Sequence, residues 1–165
     1  MAGNQIKIHF YKSPWYMIFA WIIRVATNSK INHVSIELPE SLGADCPGIY
    51  ETTTRGVIKT NRHIKNLAYT FNLPFAPHTE NGKKTISFLK KSVAEKYKYD
   101  FLGVLLGFFG VKIENEKKYF CSEYVDYAYF ELYLGLQNSK LKTNLSPKII
   151  AAKCEAYLWG LIHAN

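Results

Sequence analysis

Cys121 is the residue of this chain best placed to act as a nucleophile. It begins the segment Cys121-Ser122-Glu123-Tyr124, and apolar residues then recur at helical spacing (121, 124, 125, 128, 129, 132 and 136). The predicted helix ends near Gly135. Backbone N–H groups and the helix dipole at a helix N-terminus stabilise a thiolate, and can also stabilise an oxyanion. The alternative is that Cys121 is a small apolar residue of the core.

A cysteine nucleophile needs a base, and the chain offers five histidines. His33 begins the alternating segment His33-Val34-Ser35-Ile36-Glu37-Leu38, which predicts a strand with one polar and one apolar face. A histidine on such a strand is held rigidly and can be directed at a helix N-terminus. His63 and His78 lie in loop-like or basic segments and are weaker candidates. The alternative for His33 is a surface histidine on a half-exposed strand.

Glu51 is the candidate for the third polar group, which fixes the orientation and tautomer of the imidazole. It lies in Ile49-Tyr50-Glu51-Thr52-Thr53, the next strand-like segment after His33. Two antiparallel neighbours would bring Glu51 beside His33. Taken alone, Glu51 is equally an ordinary exposed strand residue.

The strands and helices that position these residues are predicted to form an α+β fold. It consists of one small antiparallel sheet flanked by helices, in a single domain covering residues 1–165. Pro, Gly and Asp predict a loop over 39–48. The predicted strands are 5–11, 31–38, 49–60 (a strand pair, or one strand bent at Arg55-Gly56) and 67–75, and the predicted helices are 15–27, 80–97, 121 to about 135, and 147 to about 159.

Cysteine usage and hydropathy limit the class of protein. Three cysteines at positions 46, 121 and 154 do not form a disulfide framework, and neither cysteines nor histidines occur in closely spaced ligand pairs. We therefore expect no metal and no cofactor. The apolar runs Trp15–Ile23 and Phe101–Val111 are shorter than the ~20 residues that cross a bilayer. Without a signal-peptide pattern, a cytoplasmic location is expected, and a bacterial or phage-encoded protein fits.

The net charge of +8 favours anionic partners, such as an anionic polymer or a membrane surface. The densest group of basic residues follows helical spacing, which is typical of a solvated helix face and is compatible with a binding patch. The basic residues with helical spacing are Lys83, Lys84, Lys90, Lys91, Lys96 and Lys98. Basic and aromatic residues are not interleaved in a known RNA-binding motif, so no specific nucleic acid is predicted.

Four segments, taken in order, resemble the permuted NlpC/P60 papain-like superfamily, and within it the YiiX-like hydrolases. They are His-Val-Ser-Ile, Tyr-Glu-x-Thr-x-x-Gly-Val, Tyr-Asp-x-x-Gly and Phe-Cys-Ser-Glu-Tyr-Val. The resemblance implies that Cys121, His33 and Glu51 form the catalytic set. It places Tyr99-Asp100 with Gly103 in the segment before the cysteine helix, where we assign a structural role.

The resemblance implies a hydrolase that cleaves an amide, peptide or ester bond through a thioester. Peptide, cell-wall or lipid-linked acyl groups are the substrates it suggests. The second histidine and the Asn-Cys pair of the related lecithin:retinol acyltransferase group are not seen here, which favours hydrolysis over acyl transfer. The alternative function is a catalytically inactive papain-like module that binds nucleic acid, protein or a membrane surface; a peripheral membrane protein is a third possibility.

Overall fold

The fold is α+β, as predicted, with a five-stranded antiparallel sheet and three helices in the described part of the chain. The computed structural model describes residues 4–12, 24, 28–43, 45–61, 66–100, 117–136 and 146–163. The predicted helix over 15–27, the run Phe101–Val111 and His63 lie outside these residues. The elements are β1 (Gln5–Tyr11), β2 (His33–Leu38), β3 (Gly48–Thr53), β4 (Gly56–Thr60), β5 (Leu67–Pro74), α1 (Glu80–Ala94), β6 (Lys98–Tyr99), β7 (Lys118–Tyr119), α2 (Cys121–Val125), a π-helix (Asp126–Tyr133) and α3 (Pro147–His163).

The main sheet has the strand order β4-β3-β2-β1-β5, so β2, which carries His33, lies at its centre. Residues paired across antiparallel strands share a face. One face is therefore apolar and includes Ile8, Phe10 and Ile36, all fully buried. The opposite face presents polar side chains, including Lys7 and Glu37, which are paired in the register. This alternation agrees with the prediction for β2.

The helix that begins at Cys121 has two parts of different pitch, the short α-helix α2 and then the π-helix. After Val125 it continues as the π-helix, whose wider turns displace the buried stripe from the predicted α-helical spacing. Phe130 is buried, whereas Leu132 is half-buried and Leu136 is 51% exposed. The prediction that positions 132 and 136 continue the apolar stripe was therefore wrong.

Helix α1 begins at the predicted polar turn but ends earlier than predicted. The Thr79 hydroxyl accepts a hydrogen bond from the Gly82 N–H and so caps the N-terminus. At the other end Lys96 adopts a left-handed conformation (φ 52°), and the Tyr97 N–H bonds the Ser92 carbonyl. This Schellman motif ends the helix at Ala94 instead of Tyr97. No helix within the described ranges is long and apolar enough to cross a membrane.

The six lysines that were predicted to follow one helix are all exposed, but only four of them lie on α1. Lys84 pairs with Glu80 and Lys91 with Glu95, each one helical turn apart. Lys98 lies instead on β6, because the helix ends at Ala94. Exposed pairs of this kind contribute little to stability, which agrees with a solvated face.

Gly56, the first residue of β4, is required by both its conformation and its surroundings. Its φ is +105°, and a Cβ at this position would lie 2.5 Å from the Tyr97 carbonyl oxygen, a backbone atom that cannot rotate away. The Val57 N–H donates to the same Tyr97 carbonyl at 2.8 Å. Gly56 therefore allows β4 to lie against the segment that leads to β6.

Replacing this glycine is expected to destabilise the protein. Gly56→Ala should lower the free energy of unfolding by about 2 kcal/mol or more, through strain and backbone displacement. The matched control is Gly160→Ala on α3, where a Cβ would meet nothing within 4 Å. That change should stabilise the helix by about 0.5–1 kcal/mol. Urea unfolding of both variants measures the difference, and equal midpoints would contradict this account.

Candidate active site

His33 and Glu51 form a buried pair at the point where β2 and β3 separate. The two strands pair only from Ile36, opposite Tyr50, to Leu38, opposite Gly48. Continued by one step, this register places Glu51 across from Ser35 and diagonal to His33 on the same face, within reach of a long side chain. The Nε2 atom of His33 lies 2.8 Å from Glu51 Oε2. The structure therefore brings together these two predicted site residues.

Cys121 is the first residue of α2, as predicted. Phe120 before it is extended, and its carbonyl accepts the first helical hydrogen bond, from the Tyr124 N–H at 2.9 Å. Helix α2 lies against β2 and β3, the strands that carry His33 and Glu51. The Cys121 side chain lies close enough to His33 to raise the pKa of its imidazole. Because Nε2 of the imidazole is bonded to Glu51, Nδ1 is the nitrogen left for an interaction with the thiol.

The electrostatics of His33 result from two opposing effects. Burial disfavours the charged ring and would lower its pKa, but hydrogen bonding of the ring to Cys121 and Glu51, and the charges of these groups, oppose this effect. The two partners prevail, and the pKa of His33 is raised from 6.5 to about 10. The site therefore favours the charged imidazolium form of His33.

Burial distinguishes the site residues from ordinary surface residues. Glu51 is 3% exposed and His33 is 14% exposed, so the interpretations of Glu51 as an exposed strand residue and of His33 as a surface histidine were wrong. Cys121 is also 3% exposed. An ion pair in such surroundings is weakly screened by water and salt.

Tyr99, to which the sequence analysis assigned a structural role, is influenced electrostatically by Cys121. Burial raises the pKa of its hydroxyl, and the charges of Cys121 and Asp100 raise it further. Its position at the end of β6, in the Tyr-Asp segment, was the only signal in the sequence.

Tyr11 is a second residue that the sequence analysis missed. It is opposite His33 in the β1–β2 register and lies on the polar face of the sheet. The alternation of Lys7, His9 and Tyr11 with Ile6, Ile8 and Phe10 was the available signal. Its hydroxyl lies 3.1 Å from Ser35 Oγ, and both residues are fully buried.

His9, 2% exposed, lies on the same face and is engaged at both ring nitrogens. Nδ1 lies 2.8 Å from Thr70 Oγ1, and Nε2 lies 2.7 Å from Glu37 Oε2. Lys7 also binds Glu37, and although burial raises the pKa of that carboxyl, these two partners lower it overall. His9 therefore belongs to a separate polar cluster.

The other two cysteines do not resemble Cys121 in their surroundings. Cys154 is fully buried on α3, and burial raises the pKa of its thiol to about 12. Cys46 is half-buried in the loop before β3. Among the residues that the structure describes, no group of histidine, cysteine, aspartate or glutamate side chains is arranged to hold a metal ion.

The charge state of His33 should depend on both of its partners. We expect its imidazole signals in NMR to titrate near pH 10 in the native protein. Cys121→Ala or Glu51→Gln should move the pKa downward, because burial then acts against fewer opposing groups. His33→Gln identifies the signals. A native His33 that is already neutral at pH 7 would contradict the ion pair.

Comparison with known proteins adds no assignment to this geometry. No protein-family model matches the chain. No curated protein is significantly similar to it in sequence. The functional interpretation therefore depends on the arrangement of Cys121, His33 and Glu51.

Proposed function

We propose that this chain is a cysteine hydrolase of the permuted NlpC/P60 papain-like type. One observation supports this most directly: His33 and Glu51 form a buried pair with Nε2 2.8 Å from Oε2, and the helix that begins with Cys121 packs against the two strands that carry them. Cys121 lies at a helix N-terminus, and His33 and Glu51 lie on two strands. These positions suit a nucleophile, its base and the group that orients the base. The α+β fold is compatible with the papain-like architecture.

In the acylation step the Cys121 thiolate attacks the carbonyl carbon of an amide or ester. A C–S bond forms, and the electron pair of the carbonyl moves to oxygen. When this tetrahedral intermediate collapses, the bond to the leaving group breaks, and the His33 imidazolium donates its Nδ1 proton to that group. Glu51 holds the ring by Nε2 throughout, which keeps Nδ1 directed at the sulfur.

In the deacylation step His33, now neutral, takes a proton from water while the water oxygen attacks the thioester. The C–S bond then breaks, the acid product leaves, and the thiolate–imidazolium pair is restored. The oxyanion of both intermediates can be stabilised by the Cys121 backbone N–H. We propose the Tyr99 hydroxyl as the second donor, because its pKa responds to the charge of Cys121.

The substrate class remains the one that the resemblance implies: a peptide, cell-wall or lipid-linked acyl group. The charge of +8 suits an anionic polymer or membrane surface as the place where such a substrate is found. The alternative function is an inactive papain-like binding module. The buried, mutually bonded catalytic set favours catalysis, since a binding scaffold has no need of an imidazolium beside a thiol.

Thiol reactivity tests the proposed nucleophile. Iodoacetamide should alkylate Cys121 well below pH ~8.5, where ordinary thiols react slowly. His33→Gln should lower that rate about tenfold or more, because the thiolate loses its counter-ion. Peptide mass spectrometry reads all three cysteines in one sample, and Cys46 and Cys154 are the internal controls.

The opposite result would favour the binding module. Equal alkylation of Cys121 in the native protein and in His33→Gln would contradict catalysis by this pair. Oligonucleotide binding that falls steeply with salt would then identify nucleic acid as the partner of that module. The small reagent matters because Cys121 is buried, and a bulky one would report access instead of reactivity.

Tyr99→Phe should separate stabilisation of the oxyanion from formation of the thiolate. Hydrolysis of p-nitrophenyl acetate should fall about tenfold to hundredfold when an oxyanion donor is lost. Alkylation of Cys121 should change little, because substitution at the carbon of iodoacetamide forms no oxyanion. Tyr133→Phe, which removes a hydroxyl bonded to the Ala76 N–H, is the control. Parallel losses in both assays would contradict the oxyanion role.

A further inference from the structure

The Tyr11 ring packs against the imidazole of the base. Tyr11 ends β1 and is paired with His33 in the register of β1 and β2. The two ring centroids lie 5.6 Å apart, with the planes inclined at 36°. Tyr11 is fully buried, so little space remains for its ring to move. This contact restricts rotation of the imidazole about its Cβ–Cγ bond.

The Tyr11 hydroxyl is fixed by Ser35 on the neighbouring strand. The two oxygens lie 3.1 Å apart, and Ser35 is fully buried. Burial raises the pKa of the Tyr11 hydroxyl, the bond to Ser35 opposes this, and the charges of Glu51 and Glu37 raise it further.

We propose that Tyr11 and Ser35 are positioning residues, which hold His33 in the orientation where one ring nitrogen faces Cys121 and the other faces Glu51. This inference rests on the proposed function, because it assigns the pair a role in that same site. The phenol ring blocks one face of the imidazole, and the bond to Ser35 keeps the ring in place. Neither residue contacts the reacting atoms in this account, so both act through His33.

A buried Tyr–Ser hydrogen bond could equally serve stability alone, and a double-mutant cycle separates the two roles. A positioning residue affects Cys121 only while His33 is present. A residue that merely stabilises the fold affects Cys121 whether or not the base is there. The readout is the rate of Cys121 alkylation by iodoacetamide at pH 7 in the full chain.

The cycle compares the native protein, Tyr11→Leu, His33→Gln and the double variant. Tyr11→Leu, which removes the ring, should lower the rate about tenfold in the native background, since small displacements of a catalytic group have effects of this size or larger. It should cause no further loss in His33→Gln. Ser35→Ala and Tyr11→Phe keep the ring and should each give a smaller decrease.

Two measurements keep the test valid if Tyr11→Leu folds poorly. Tyr11→Phe should shift the NMR titration of His33 away from about 10. Tyr129→Phe is the matched control, because it also removes one buried hydroxyl, which donates to the Pro74 carbonyl at 2.9 Å. That control should lower stability and leave the His33 titration unchanged.

The possible failures can be told apart. If His33→Gln lowers the alkylation rate but Tyr11→Leu has no effect, or lowers it equally in both backgrounds, the positioning role is overturned and the proposed function stands. Equal His33 shifts in Tyr11→Phe and Tyr129→Phe would also overturn it. If His33→Gln itself leaves the rate unchanged, the proposed function fails, and the positioning role fails with it.

Discussion

The buried contact between the His33 imidazole and the Glu51 carboxylate constrains the rest of the structure. A carboxylate that is 3% exposed is costly unless it is paired and hydrogen-bonded, and here the Nε2 atom of His33 lies 2.8 Å away. This pairing requires β2 and β3 to diverge on the N-terminal side of Ile36 in β2 while the two side chains stay on one face. It also leaves the other ring nitrogen for Cys121, so the same contact supports the fold and the proposed chemistry.

The polar face of the sheet shows how a protein can bury such groups without leaving them unsatisfied. His9 on β1 is bonded to Thr70 on β5 and to Glu37 on β2, the two neighbouring strands. Tyr11, also on β1, is bonded to Ser35 on β2. Each buried donor therefore faces an acceptor on a neighbouring strand. The apolar face of the same strands packs into the core, because side chains alternate along a strand.

The position of Cys121 depends on contacts that its helix makes far from the sulfur. The Tyr124 hydroxyl bonds Ser92 on α1, and Asp126 pairs with Lys153 on α3. The π-helix after Val125 then turns Phe130 into the core in place of Leu132. These contacts fix the helix axis, so that its first turn, and with it Cys121, lies beside β2.

The sequence by itself determined the local features: the strand alternation that gave His33 a polar face, the helix that begins at Cys121, and the order of elements of an α+β fold. These depend on period and on capping, which neighbouring residues set. Only the tertiary structure decided what lies at a distance along the chain: the burial of Glu51, its hydrogen bond with His33, and the packing of Tyr11 on His33. It also decided the π-helix and the end of α1 at Ala94, which the apolar spacing did not predict. The physical reason is that burial and side-chain pairing depend on strand register and helix packing, and these join residues that the sequence separates.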